Sequence, residues 1–417
     1  MSYRALFLIP AFFLVLFAGR EHYPIDGYEE TGIERLLRLQ RIMGGEIEGE
    51  KPPPGAQRSI SDITLNLLGS RGDTLQAIPS PDLELQKSVN AIFPSLDESY
   101  SVALLDITKG RPIRYAHRKQ TSGYQPGSVG KLAVLAAIFS ELERIYPNSF
   151  DKRQELLRSR EVQGGRWVVP NEHEVPIYNP ETGFYARRAV REDDRFSLYE
   201  WTDHMISVSS NAAASVMWRE CILMRAFGKQ YPAVTEVEAE DFFKKTPKKE
   251  LAEMASSVVN APLRDIGIKE DEWRLGRLFT HGAAAIVPPS GGSIGTTLGL
   301  MKYLIAMERG KIVDQESSLE MKRVMYLTDR RIRYAASPAL TNAAVYFKSG
   351  SLYKCVPEEG FKCGKYMGNV YNYMNSVAIV EQPDGRTYLV VLLSNVLRKN
   401  SSADHYTLAS RIDKLVK

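Results

Sequence analysis

Cysteine is scarce in this chain: Cys221, Cys355 and Cys363 are the only three among 417 residues. That is too few for a disulfide-dense scaffold, so the fold has to rest on an apolar core. Charge of one sign is also missing. Lys and Arg number 54 against 50 Asp and Glu, a net +4, and the most basic run, Lys244-Lys245 to Lys248-Lys249, follows directly on the acidic stretch Glu236 to Asp241. Neither a nucleic-acid footprint nor a polybasic membrane patch stands out. The sequence has no internal repeat and no low-complexity tract. With 44% hydrophobic and 25% charged residues, it reads as a globular protein rather than a disordered or fibrous one. Its length would suit two or three domains, although α/β enzymes often exceed that guide.

Long apolar runs are absent, with one exception. After Arg4, Ala5 to Gly19 is apolar and uncharged, shorter than the roughly 20 residues a spanning helix needs. A secretory signal is the expected reading of residues 1–19. Leu16 is a poor residue ahead of a cleavage site at Ala18-Gly19, so the same run left uncleaved would anchor the chain in a membrane. With the segment cleaved the protein is expected to be periplasmic or secreted, and with it retained, membrane-anchored. An oxidising compartment favours a local bridge between Cys355 and Cys363, which bracket a loop containing Pro and Gly. Cys221 lies in an apolar stretch and reads as a buried small hydrophobe.

Residues 20–80 read as an extension. Ile33, Leu36, Leu37 and Leu39 predict a short amphipathic helix, and Pro52-Pro53-Pro54-Gly55 breaks it. Residues 81–417 read as one catalytic domain. A helix from Leu83 leads to a hairpin of Tyr100–Asp106 and Ile113–Tyr115. A mostly helical middle follows, interrupted by a loop-rich stretch from Gly164 to Phe184 and a polar one around 229–250. Strands return at Ala344–Phe347, Ser376–Val380 and Tyr388–Leu393, and Leu408, Ile412 and Leu415 mark a closing helix. The expected fold is an α/β (α+β) protein whose antiparallel sheet is built from both ends of the chain and flanked by helices, with an all-helical lobe inserted.

The tetrad Ser-x-x-Lys occurs three times, at Ser128/Lys131, Ser149/Lys152 and Ser351/Lys354, and setting has to separate them. Behind Lys131, the residues Leu132, Leu135, Ile138, Phe139 and Leu142 repeat at helical spacing, which predicts a buried helix. Pro126-Gly127 places Ser128 at its amino-terminal turn, with Lys131 one turn deeper on the same face. Burial strips hydration from such a lysine and favours its uncharged form, and a serine needs a base of that kind to attack a carbonyl. Further on, Ser209-Ser210-Asn211 opens a second small-residue helix, and Lys348-Ser349-Gly350-Ser351 ends a strand.

In that order, Ser-x-x-Lys, Ser-x-Asn and Lys-Ser-Gly resemble the three-motif signature of the serine β-lactamase and penicillin-binding protein superfamily, class A β-lactamases in particular. The resemblance runs from about Leu83 to Val416 and includes Thr296-Thr297 ahead of an apolar helix. It implies Ser128 as the acylated nucleophile, Lys131 as its base and Ser209 as the proton relay to the leaving nitrogen. Asn211, Ser349 and Gly350 would bind substrate, and Lys348 would face its carboxylate. The backbone N–H groups of Ser128 and Ser351 would form the oxyanion hole. The implied ligand is a β-lactam or a peptidoglycan-derived peptide, with neither cofactor nor metal. Asn171-Glu172-His173-Glu174 lacks a histidine at the helical i+4 spacing of a metal site.

Class A enzymes also carry a Glu-x-x-x-Asn loop shortly before the Thr-Thr pair, whose glutamate activates the deacylating water. Phe279 to Gly292 contains no carboxylate. Glu270, Asp271, Glu272 and His281 are the nearby candidates for a base. Tyr124, beside Ser128, suits either the cleft wall or the core.

Overall fold

The computed structural model describes residues 24–171 and 173–416; the apolar run Ala5–Gly19 lies outside them. Five antiparallel strands form the central sheet: β1 (Ser101–Asp106), β2 (Arg114–Arg118), β3 (Ala344–Lys354), β4 (Tyr371–Glu381) and β5 (Thr387–Asn395). Their order is β2-β1-β5-β4-β3, so the first hairpin pairs with the last strand. Register runs from Ser101↔Leu393 to Asp106↔Tyr388 in one pair, and sets Lys348 opposite Val377 and Gly350 opposite Asn375 in another. As the sequence predicts, both ends of the chain build one sheet and helices fill the middle.

Side chains alternate across this sheet, as the period of two requires. Ala103, Leu105, Tyr346, Val377, Ile379, Leu389 and Val391 enter the larger core, shared with the helical lobe. Their neighbours Val102, Leu104, Val345, Phe347, Ala378, Val380, Val390 and Leu392 enter a second core beneath the helices Leu83–Ala91 and Ser402–Leu415. Both faces are covered, which is why the strands read as unbroken apolar runs rather than alternating ones.

The helix Lys131–Ile145 runs through the larger core, with Lys131 and eleven residues from Leu132 to Ile145 buried, Ser140 and Glu143 partly exposed and only Arg144 exposed. Tyr303 donates to the Leu132 carbonyl (2.8 Å) from the helix Thr297–Glu308, which Thr296 caps. Beyond Lys131–Ile145 the lobe departs from expectation twice. The loop-rich stretch contains a hairpin, Glu174–Tyr178 paired with Tyr185–Ala189. The polar stretch is helical, Glu236–Lys245 and then Lys248–Asp265. A Thr235/Glu238 capping box starts the first of these helices, Glu240–Lys244 and Asp241–Lys245 pair along its exposed face, and Ala239 and Phe243 form a short apolar face in the core.

The extension is folded onto the molecule. Its helix, Glu34–Met43, stops at Gly44-Gly45, ahead of the three prolines. Arg35 forms a buried fork with Asp203 (2.5 and 2.6 Å) and donates to the Leu327 carbonyl (2.7 Å). Further along, Arg38 lies 3.7 Å over the Tyr185 ring and Arg41 donates to the Tyr178 hydroxyl. Gly55 packs so tightly that a Cβ there would lie 2.0 Å from the Ala343 carbonyl oxygen, just before β3. A bridge joins Cys355 and Cys363 (Cα–Cα 5.9 Å) in the loop after β3, and Cys221 is free and buried. Among the described residues no helix is long and apolar enough to cross a membrane.

Candidate active site

Three segments distant in sequence meet where the edge strand passes the start of the buried helix. Gly127–Gly130 forms a single 3₁₀ turn that runs into Lys131–Ile145, so Ser128 stands half-buried at its mouth. The strand β3 presses against this turn. A Cβ on Gly350 would lie 2.4 Å from the Pro126 oxygen and 3.1 Å from the Ser128 nitrogen, and one on Gly127 would lie 3.0 Å from the Ser351 nitrogen. Only glycine permits that approach, which sets the backbone N–H groups of Ser128 and Ser351 side by side. Asn375 on β4 fixes the turn by donating to the Gln125 and Pro126 carbonyls (2.9 and 3.0 Å).

The third segment leads into the helix Asn211–Phe227. Ser209 holds φ +66°, a conformation that costs a non-glycine residue roughly 1–3 kcal/mol. Its carbonyl oxygen meets Lys131 Nζ at 2.9 Å and its Oγ meets Lys348 Nζ at 2.8 Å. Ser210 performs the capping, accepting from the Ala213 N–H.

Lys131 is fully buried. Its Nζ lies 2.7 Å from Ser128 Oγ, 2.7 Å from Asn211 Oδ1 and 3.5 Å from Ser209 Oγ. Every one of these partners is neutral. Burial, then the positive charges of Lys348 and Arg330, hold its pKa well below the ordinary lysine value. A neutral amine has two hydrogens and one lone pair. The Ser209 carbonyl and Asn211 Oδ1 can only accept, so they take both hydrogens and the lone pair is left for the Ser128 hydroxyl. Lys348 is buried too, donates also to the Ser349 carbonyl (2.9 Å), and is pushed down to about 7 by burial and by Arg333 and Arg330. Ser349 is half-buried beside it.

The sequence's eight candidates, Ser128, Lys131, Ser209, Asn211, Lys348, Ser349, Gly350 and Ser351, thus surround one point. The other two tetrads stand elsewhere: Ser149 caps the helix Phe150–Ser159 through the Lys152 N–H, and Ser351 and Lys354 extend along β3. Tyr124 is a strut, buried, donating to the Ser99 carbonyl and paired with Gly295.

None of the four candidate bases reaches the nucleophile. Glu272 is held by Lys302 (2.7 Å), and Glu270, Asp271 and His281 are exposed, without a hydrogen bond to Ser128 or Lys131. The loop they flank instead places the Phe279 ring 4.8 Å from Lys131 Nζ. No group of three His, Cys, Asp or Glu side chains among the described residues could hold a metal.

Sequence reasoning missed three neighbours. Arg333 donates to the Gly350 carbonyl (2.9 Å) and lies 4.9 Å over the Tyr366 ring. The positive charge of Arg330 acts on Lys131, Lys348 and Arg333. His173 is half-buried, and the charges of Lys131, Arg330, Lys348 and Lys365 act on its ring. Three arginines among the four residues Arg330–Arg333, ahead of a strand carrying a Lys-Ser-Gly, were the available signal. Nothing in the sequence placed His173 there.

A Ser-x-x-Lys turn under an antiparallel sheet, facing a Ser-x-Asn helix and a Lys-Ser-Gly strand, defines an active-site-serine hydrolase of the penicillin-recognising class. The chain belongs to the β-lactamase enzyme family, whose model matches residues 84–415. Its fold is similar to that of a class A β-lactamase from Bacteroides cellulosilyticus DSM 14838, at 15% identity and TM-score 0.53, covering 81% of this chain and 98% of that one. It is also similar to a point mutant of PBP-A, solved as an acyl-enzyme complex with penicillin G (13%, 0.50, 81% and 97%). A β-lactamase from Chitinophaga pinensis DSM 2588 is a third such structure (14%, 0.50, 79% and 97%). No curated protein matches the chain. At such identities the likeness is one of fold, and the protein is a β-lactamase-like serine hydrolase by family.

Proposed function

We propose that this protein is an exported hydrolase that opens a β-lactam or related amide through an acyl-enzyme at Ser128. The observation that carries the reading is the 2.7 Å contact of a fully buried Lys131, its pKa pushed well down by burial, with Ser128 Oγ. Lys131 removes the hydroxyl proton as Oγ attacks the carbonyl, and the N–H groups of Ser128 and Ser351 hold the oxyanion, worth about 3 kcal/mol per donor. Ser209, within reach of both lysines, passes the proton to the departing nitrogen. Lys348 and Ser349 take the substrate carboxylate in a charge-assisted contact. Asn211 orients Lys131 and the substrate amide.

A second reading is favoured by Phe279. An aromatic ring beside Lys131 cannot activate a water, so the acyl-enzyme would persist and the natural reaction would be that of a D,D-peptidase or amidase on cell-wall peptides, which β-lactams trap. Export is supported by the apolar run after Arg4, and the Cys355–Cys363 bridge suits an oxidising compartment. Purified protein mixed with a chromogenic cephalosporin separates the readings. Many turnovers support a β-lactamase and a one-equivalent burst a trapped peptidase; no covalent adduct at all leaves a non-hydrolytic sensor. Amino-terminal sequencing of protein recovered from the periplasm or medium tests export: a start beyond residue 19 supports a cleaved signal.

A further inference from the structure

One peptide unit links Gly350 to Ser351. Its N–H belongs to Ser351 and is one of the two oxyanion donors of the reading above, while its carbonyl belongs to Gly350. The bond is trans, as is every described peptide bond but Val169-Pro170, so carbonyl and N–H point in opposite directions. A group that binds this carbonyl therefore stands behind the oxyanion donor.

Arg333 is that group. Its Nη1 donates to the Gly350 oxygen at 2.9 Å, and the residue is only 8% exposed. Among the described residues no carboxylate pairs with it. It opens the turn Arg333–Ala336 at φ +54°, and Tyr366, whose ring lies 4.9 Å from its guanidinium, holds φ +59°. Residues other than glycine stay in the left-handed region only where their surroundings impose it, and here two of them are in contact. Tyr366 sits in the loop after β3 that the Cys355–Cys363 bridge ties, and its ring meets Tyr353 of β3 edge-on at 5.6 Å. The guanidinium is thus fixed between this loop and the strand carbonyl.

A cation donating to an amide oxygen draws electron density toward that oxygen and leaves the N–H of the same amide more positive. Linked hydrogen bonds strengthen one another in this way by roughly 10–30% per bond, and a charged donor does more than a neutral one. Gly350 is also the residue whose close approach to Pro126 sets the two N–H groups side by side, so the same contact holds the plane of the peptide.

We propose that Arg333 is a positioning residue of the oxyanion hole: held by Tyr366, it orients the Gly350–Ser351 peptide and strengthens the Ser351 N–H as a donor to the tetrahedral intermediate. This rests on the acyl-enzyme reading and goes beyond it, since Arg333 acts through the peptide and not on the substrate.

The native protein, Arg333→Gln and Arg333→Lys are compared, with the melting transition of each as the control for folding. Rapid quenching with a chromogenic cephalosporin and intact-mass analysis give the saturating rate of acylation and the concentration that half-saturates it. Infrared difference spectra give the ester carbonyl stretch of the adduct. Arg333→Gln is expected to slow the saturating rate about tenfold and to leave the half-saturating concentration within about twofold, as loss of an interaction made only in the transition state does. The ester band should rise toward its position in the denatured adduct, because a weaker donor polarises the carbonyl less, and Arg333→Lys should restore part of both effects. Tyr366→Leu, which removes the ring beside an intact arginine, should move the band the same way by less, and stands in if Arg333→Gln does not fold. A raised half-saturating concentration with an unmoved band would make Arg333 a ligand of the substrate carboxylate, and a slower rate with an unmoved band a support of the fold. Either result overturns the proposal, as does no change at all. No adduct on the native protein would remove the Ser128 reading and this one with it, whereas an adduct whose band ignores Arg333 removes this inference alone.

Discussion

Lys131 concentrates the chemistry of the site into one group whose charge state the fold decides. Burial beside Lys348 and Arg330 holds its pKa well below the ordinary lysine value, and its oxygen partners leave the lone pair of the neutral amine facing Ser128. Lys131→Ala should therefore slow adduct formation by roughly 10³-fold or more, as loss of a general base does, with an unchanged melting transition as the control for folding. Lys348 gives a second expectation. It is held near pKa 7, so the cationic form that the proposed carboxylate contact requires is lost as pH rises through about 7. The acylation rate per free protein should fall on that alkaline side. Once an anionic substrate is bound, the opposite charge moves the limb to higher pH. Lys348→Arg should abolish the alkaline fall, and a profile unchanged by that substitution would refute the assignment. These residues were legible because their motifs are short, ordered and locally framed by a turn, a cap and a strand end. Arg333 and His173 were not, since only three-dimensional placement brings the Arg333 guanidinium to the Gly350 carbonyl and the His173 ring under the charges of the two lysines.

At the scale of elements, the site depends on how closely β3 can press on the 3₁₀ turn. Gly350→Ala would put a Cβ 2.4 Å from the Pro126 oxygen, and strand or turn has to move. A displacement near 1 Å should lower the acylation rate roughly 10²-fold, measurable with the same cephalosporin. The sheet itself was readable from apolar runs, because burial on both faces leaves no polar interruption. The lobe was harder. Its polar helix is held by a capping box and i,i+4 pairs and buries only Ala239 and Phe243, and the outer strand of its hairpin has no fully buried position, so neither shows the full apolar period that marks an element in sequence. The 3.6-residue period did reveal the extension's helix, but not that Arg35 would bury its charge against Asp203. Their side chains are 7% and 0% exposed, so Arg35→Leu leaves a buried carboxylate unpaired and should cost about 3–5 kcal/mol in denaturant unfolding. Replacing Asp203 as well, with Asn, should recover much of that loss.

For the molecule as a whole, the helix Glu34–Met43 bridges the two sides of the cleft. It grips the lobe through Asp203 and the lobe hairpin through Tyr178 and Tyr185, and reaches the loop before β3 through Leu327. The cleft is thus braced by a segment outside the residues that the family model matches. Inside it, a base capable of drawing the proton from Ser128 is present, while the loop before Thr296 offers Phe279 beside Lys131. Acylation and release are therefore unequally supported. The most direct measurement is the time course of a chromogenic cephalosporin with the native protein and with Ser128→Ala, read together with the intact mass of each. The account predicts product release and a mass increase confined to the native protein, many turnovers marking the β-lactamase and a one-equivalent burst the trapped peptidase. An adduct or burst that survives Ser128→Ala, or no adduct on the native protein, would contradict it.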